Sequence, residues 1–145
     1  MMTRDFRLMS AIIKVKNCCQ EREADIQKAL GLNSSEYLCM VEVPLGQRIG
    51  TGELCRRMGL SPSRGSRVID RVFSKGYLLR TPSVADRRVI EIELSPSGRR
   101  AKRKIDELLT VCEATFAGSL DAGERESIIA ALNTLLVSAE KGEKP

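Results

Sequence analysis

The sequence predicts a mainly α-helical chain with one small β-hairpin in its middle. Three observations carry that expectation. Apolar residues recur at helical spacing over most of the 145 residues, two Ser-Pro pairs and several glycines punctuate those runs, and alternation marks Val89 to Leu94 after a short apolar stretch from Tyr77 to Thr81.

From Asp5 to Leu30, the residues Phe6, Met9, Ile12, Ile13, Ile26, Ala29 and Leu30 stripe a long first helix that Gly31 stops. Asn33, with Glu36 three residues on, forms a capping box for a second helix to about Val43, where Pro44 and Gly46 end it. A short third helix runs from about Thr51 to Met58 and closes at Gly59. Ser61-Pro62 starts a fourth, because the serine oxygen can accept an orphan amide and proline at the first helical position forfeits no hydrogen bond. Up to Gly76, Gly65, Val68, Ile69 and Val72 share one face while Arg64, Arg67, Arg71 and Lys75 run along another. In the hairpin, Ile90, Ile92 and Leu94 lie opposite Glu91 and Glu93, and the tip from Pro82 to Arg88 is too long for a two-residue turn. Ser95-Pro96 opens a fifth helix striped by Ala101, Ile105, Leu108, Cys112 and Phe116. Asp121 with Glu124 opens a sixth carrying Ile128, Leu132, Leu135, Leu136 and Ala139, and the tail from Lys141 to Pro145 reads as frayed.

Composition narrows the function classes. With 42% hydrophobic and 30% charged residues, the chain fits one soluble domain whose core needs neither disulfide nor metal. No apolar run reaches the roughly 18 to 20 residues of a membrane span, and no h-region follows the charged start, so a cytoplasmic location is expected. Five cysteines without a C-x-x-C pair read as reduced thiols, and with no histidine they complete no mixed zinc site. The lack of histidine also removes the commonest general base, so no enzyme, cofactor or metal is expected.

Charge is unevenly placed. Arg48 to Lys104 holds 15 Lys+Arg against 5 Asp+Glu, while the two ends together hold 9 against 14. The middle is suited to a polyanion. Two short helices, the second with a basic outer face, followed at once by a hairpin with arginines at its tip, is the winged helix-turn-helix order.

On these residues the chain resembles the MarR family of bacterial transcription regulators. The matching stretches are Glu53-Leu54-Cys55-Arg56-Arg57-Met58-Gly59-Leu60-Ser61 and Ser66-Arg67-Val68-Ile69-Asp70-Arg71-Val72, running into Lys75-Gly76-Tyr77-Leu78-Leu79-Arg80. The most specific is Asp86-Arg87-Arg88 followed by Val89 to Gly98, which looks like the family's wing signature. The resemblance implies a homodimer with interlocked first, fifth and sixth helices, each subunit presenting a recognition helix to the major groove and a wing to the minor groove. It departs at Arg64-Gly65, where the family usually has a small or hydroxyl residue and then an aliphatic one, and a mid-helix glycine costs about 1 kcal/mol relative to alanine. Neither the peroxide-sensing cysteine nor the zinc-sensing histidines of the family carry over.

Candidate DNA-contacting residues are Ser61, Ser63, Arg64, Ser66, Arg67, Arg71 and Lys75 on the fourth helix and Asp86, Arg87 and Arg88 on the hairpin tip. Arg67 suits a guanine edge, Ser63 and Ser66 suit phosphates or bases, and Arg71, Lys75 and Arg87 suit phosphates. Asp86 is expected to orient Arg88 toward a narrow minor groove. The plain alternative is a solvated charged face. The run Arg99, Arg100, Lys102, Arg103 and Lys104 near a helix N-terminus opposes the helix dipole and calls for compensation by phosphate or by acidic groups of a partner subunit. Cys55 and Cys112 read as core fillers, Cys39 as ambiguous, and Cys18 with Cys19 as a candidate thiol switch. Tyr37, Phe6 and Phe116 read as core residues, with an effector cleft as the alternative.

The resulting expectation is a winged helix-turn-helix domain over residues 33–98, with a helical dimerisation region over 1–32 and 99–145. As a homodimer it would bind double-stranded DNA at a pseudopalindromic operator, repress transcription and release on binding a small-molecule effector. The alternatives are a thiol-based redox sensor of the same fold and a winged-helix module that docks its basic face on an acidic protein.

Overall fold

The computed structural model describes residues 6–142, so the expected helix start at Asp5 and the tail from Glu143 to Pro145 lie outside the described residues. Helix α1 (Arg7–Leu30) ends at Gly31, whose φ of +67° is the left-handed conformation that glycine adopts without penalty. Helix α2 (Ser34–Glu42) opens on the Asn33–Glu36 capping box, complete in both directions: Glu36 N donates to Asn33 Oδ1 at 2.9 Å and Asn33 N to Glu36 Oε2 at 3.1 Å. After strand β1 (Ile49–Gly50) come α3 (Thr51–Arg57) and α4 (Pro62–Ser74). Strands β2 (Leu78–Pro82) and β3 (Ile90–Leu94) form the hairpin, followed by α5 (Pro96–Ala117) and α6 (Ala122–Gly142). Lys141 and Gly142 are still helical, so fraying does not begin at Lys141.

The sheet has three strands, not the two expected, in the order β1-β3-β2 and all antiparallel. Ile49 pairs with Ile92, and Leu78 and Pro82 pair with Leu94 and Ile90. A two-residue strand is too short for alternation to announce it.

Contacts divide the chain into two compact units, Met1–Leu108 and Leu109–Pro145, so the packing boundary lies inside α5. In the first unit the core joins Met40 and Val43, Leu54, Val68, Ile69 and Val72, Leu78, Ile92 and Leu94, and Ala101 and Ile105. Tyr37 belongs to this core, with Ile26 and Leu30 packed against it. Phe6, 64% exposed, does not. In the second unit the rest of α5 and α6 carry no buried residue, and the expectation of a core role for Phe116 is likewise overturned. Arg125 Nη1 pairs with Glu113 at 2.5 Å there, and Asp121 with Glu124 makes the expected reciprocal cap of α6. Among the described residues no helix is long and apolar enough to cross a membrane.

Two cations bind helix C-termini, where backbone carbonyls lack partners and the dipole favours positive charge. Lys102, buried on α5, donates to Val41 O in the last turn of α2 at 2.5 Å and pairs with Asp106 at 3.4 Å. This is the compensation for one member of the basic run, and it comes from the same chain. Lys75 donates to Gly31 O at the end of α1, where Tyr77 OH also reaches Leu30 O at 2.7 Å.

Candidate nucleic-acid interface

Ser61 caps α4 by accepting from Arg64 N at 3.4 Å, and its hydroxyl lies 3.5 Å from that of Ser63. Thirteen residues give α4 a length of about 20 Å, enough to span a major groove. Gly65, Val68, Ile69 and Val72 are buried on its inner face, while Arg64, Arg67 and Arg71 are exposed on the outer one. At Gly65 α3 and α4 approach closely: a Cβ there would lie 2.3 Å from Cys55 Sγ and 3.0 Å from Cys55 Cβ. The glycine that costs helix propensity is therefore what lets the two helices close, and it holds the outer face of α4 at its height above α3.

Glu36, treated from the sequence as a cap alone, lies beneath this face with its side chain 3% exposed. It accepts from Arg71 Nε at 3.2 Å and from Lys75 Nζ. Burial raises its pKa, but hydrogen bonds from Lys75, the Asn33 amide and Arg71, with the charge of Lys75, outweigh that and hold it below the usual carboxylate range. Two of the residues expected to meet phosphates are thus already paired. Arg64 and Arg67 form no ion pair among the described residues, and with Ser35, Leu60, Val68 and Arg71 they line a polar cleft of about 190 Å³.

Ser66 faces elsewhere. It lines a second cleft of about 250 Å³ with Thr51, Ile69, Asp70, Arg80 and Ile90, between α4 and the sheet. Across it Arg80 pairs with Asp70 and stacks over Phe73 at 4.5 Å from the ring centre, fixing the hairpin to α4.

At the hairpin tip, Ser83 N donates to Val89 O at 2.8 Å and Val89 N to Asp86 O at 2.9 Å. Asp86 Oδ1 accepts from the main-chain N–H of Arg88 at 3.0 Å and forms no ion pair with its guanidinium. In this structure the carboxylate shapes the turn, because a short carboxylate reaches a backbone amide two residues on more readily than a long side chain's head. Arg87 and Arg88 are exposed and unpaired among the described residues, as are Arg99, Arg100, Arg103 and Lys104.

The thiols divide by burial. Cys39 is fully buried and burial, with the nearby Cys55 and Glu36, pushes its thiol up to about 12; burial also raises that of Cys55. Neither is poised as a thiolate. Cys18 is exposed, its thiol donating to Lys14 O at 3.2 Å, while Cys19 and Cys112 are half-buried. Among the described residues no cluster of His, Cys, Asp or Glu is fit to hold a metal.

The sequence-family model for MarR matches residues 32–90, from the start of α2 to the hairpin. The transcriptional regulator PapX of Escherichia coli is 26% identical over 97 residues, 66% of this chain but only 59% of PapX. Among solved structures, CouR from Rhodococcus jostii RHA1, bound to p-coumaroyl-CoA, superposes with a TM-score of 0.74 at 17% identity over 90% of this chain and 92% of its own. A MarR-family regulator from Silicibacter pomeroyi gives 0.65 at 20% identity over 95% and 96%. The family model thus falls on the helices and hairpin that carry the exposed arginines, so residues 32–90 match the MarR family, and the fold is the one seen in the superposed MarR-family regulator.

Proposed function

We propose that the protein is a sequence-specific DNA-binding transcription regulator acting as a homodimeric repressor in the cytoplasm. In this reading α4 enters the major groove of each operator half-site and the hairpin tip reaches the flanking minor groove. One observation carries the reading: Arg64 and Arg67 on α4 and Arg87 and Arg88 on the tip are exposed without anionic partners among the described residues, while cations that hold the fold together are paired. Unpaired cations on a helix that fits the groove, with more on an adjacent hairpin, form an electrostatic footprint for a phosphate backbone.

Arg67 reads a guanine edge, Arg64 and Arg87 meet phosphates, Ser61 and Ser63 sit close enough to the helix start to assist, and Arg88 answers minor-groove width. Dimerisation covers the exposed apolar residues of α1 and, separately, those of α6. A small organic effector shifts the equilibrium between DNA-competent and incompetent spacings of the two α4 helices, a proposal supported by the acyl-CoA held by CouR.

The test is a titration of labelled random duplex, then selection of bound sequences from a random pool. Binding whose affinity falls about 10³ to 10⁵-fold between 50 and 200 mM salt is expected of a dimer making 6 to 10 phosphate contacts. A selected motif with two inverted half-sites is expected; salt-independent binding or no enriched motif would remove the reading.

A further inference from the structure

Resting on the DNA-binding reading above, we propose that Glu36 is a specificity-determining counter-charge: it withholds Arg71 and Lys75 from the phosphate backbone, leaving Arg64 and Arg67 as the cations of that helix stripe free to bind a duplex. Positions 64, 67, 71 and 75 follow one another along a single stripe of α4, and Arg71 lines the same polar cleft as Arg64 and Arg67. The first two stand open. The last two are drawn down onto one buried carboxylate.

The carboxylate is saturated. Glu36 Oε1 takes Arg71 Nε and Asn33 Nδ2, each at 3.2 Å, and Oε2 takes Lys75 Nζ and the Asn33 amide at 3.1 Å. Lys75 is held a second time by Gly31 O at 2.5 Å. A carboxylate with its side chain 3% exposed has little water to replace a departing cation, so releasing Arg71 or Lys75 to a phosphate would strand a buried charge. The half-exposed side chain of Arg71 could otherwise reach outward.

The consequence follows from what phosphate contacts do. They add affinity for every sequence alike, and each steepens the salt dependence by about 0.9 in log K per log salt, which over a fourfold change in salt is roughly threefold in affinity. Holding back two cations per subunit therefore lowers binding to arbitrary DNA while leaving a base contact by Arg67 untouched. The ratio of specific to non-specific affinity rises.

The experiment uses the full chain and a fluorescein-labelled random-sequence duplex titrated between 50 and 200 mM NaCl. Glu36→Gln removes the charge yet keeps an acceptor for the capping box, which tolerates glutamine. It should steepen the salt slope by about 0.9 for each released cation that meets a phosphate, so that its affinity for random duplex relative to wild type rises roughly threefold per contact as salt falls from 200 to 50 mM. Arg71→Gln and Lys75→Gln in the wild-type background should leave the slope unchanged, whereas Arg64→Gln flattens it, and Glu36→Gln/Arg71→Gln should lose part of the steepening. The proposal is overturned if Arg71→Gln or Lys75→Gln flattens the slope as much as Arg64→Gln, or if folded Glu36→Gln keeps the wild-type slope. Should Glu36→Gln fail to fold, the two single cation variants decide. A wild-type protein that binds no duplex at 50 mM salt overturns the DNA-binding reading itself; wild-type binding with an unaltered Glu36→Gln slope overturns this inference alone.

Discussion

In residues 6–108, Met40, Leu54, Ile69, Ile92 and Ile105 are sealed from solvent, whereas in residues 109–142 Val111, Ile128, Ile129, Leu132 and Leu136 stand exposed. The first region has helices packed with a small sheet, so the apolar faces of α2, α3, α4 and the sheet find neighbours within the chain, although Phe6, Leu8, Met9, Ile13 and Val15 at the start of α1 stay exposed. The second has the end of α5 and α6, and two helices alone cannot enclose both of their stripes. Exposed apolar surface of this kind is what the proposed dimer would cover. Helical periodicity in a sequence thus states that a face will be buried without stating by which chain.

The largest test removes one side of the contrast. Deleting Asp121 to Pro145 should leave the core residues of the first region intact but abolish the proposed dimer and make the protein insoluble, as read by light scattering after gel filtration. A soluble, monomeric truncation with one cooperative unfolding transition would break the comparison.

Within the buried region, Gly65→Ala tests how tightly the core dictates sequence. Helix propensity alone predicts stabilisation by about 1 kcal/mol, whereas the close approach to Cys55 predicts destabilisation by about 1 to 3 kcal/mol. Denaturant unfolding should give the second sign, with Cys55→Ala/Gly65→Ala recovering part of the loss because its sulfur is the nearest obstacle. A net stabilisation would show that α3 and α4 separate freely.

On the outer face of the same helix, Arg67→Ala should cost about 1 to 3 kcal/mol on the operator and relax preference at one base pair per half-site, measured against operator and scrambled duplexes at one salt concentration. Arg88→Ala should cost less and more evenly, with selectivity lost only in A·T-rich flanks. If Arg67→Ala left the specificity ratio intact while Arg88→Ala abolished it, the roles of helix and hairpin would be exchanged.

The smallest effect concerns acid stability. Because the folded pKa of Glu36 lies below its unfolded value, its contribution is present above the unfolded pKa and is lost as pH falls through the folded one. The wild type should therefore lose stability over that acid range more steeply than Glu36→Gln, with thermal melts as the measure. Parallel acid limbs in the two proteins would count against the ion cluster.

Much of the first region was legible because its signals are local. Ser61-Pro62 and Ser95-Pro96 start helices, Gly31, Gly59 and Gly76 carry positive φ where stops were expected, and Asn33 with Glu36 caps α2. What stayed hidden depends on distance along the chain. Glu36 meets Arg71 across 35 positions, so a cap was visible and an ion cluster was not. Gly65 read as a helix weakness because its reason, Cys55, lies on another element. Phe6 and Phe116 were assigned to a core that the terminal helices do not supply within one chain.

Helix α5 begins inside the winged core: a Cβ on Gly98 would fall 1.9 Å from Tyr77 O, Ser95 Oγ holds Gly76 O at 2.5 Å, and Ala101, Lys102 and Ile105 are buried with the core. For anyone building chimaeras between relatives, the safe crossover is therefore not the loop before this helix but a point within it, beyond Leu108. A splice at Gly98 would graft a foreign first turn onto a joint with no room for a side chain and take away the ammonium that finishes α2. Fusion within the helix preserves both, so modular exchange in this architecture is a matter of helical phase rather than of linker length.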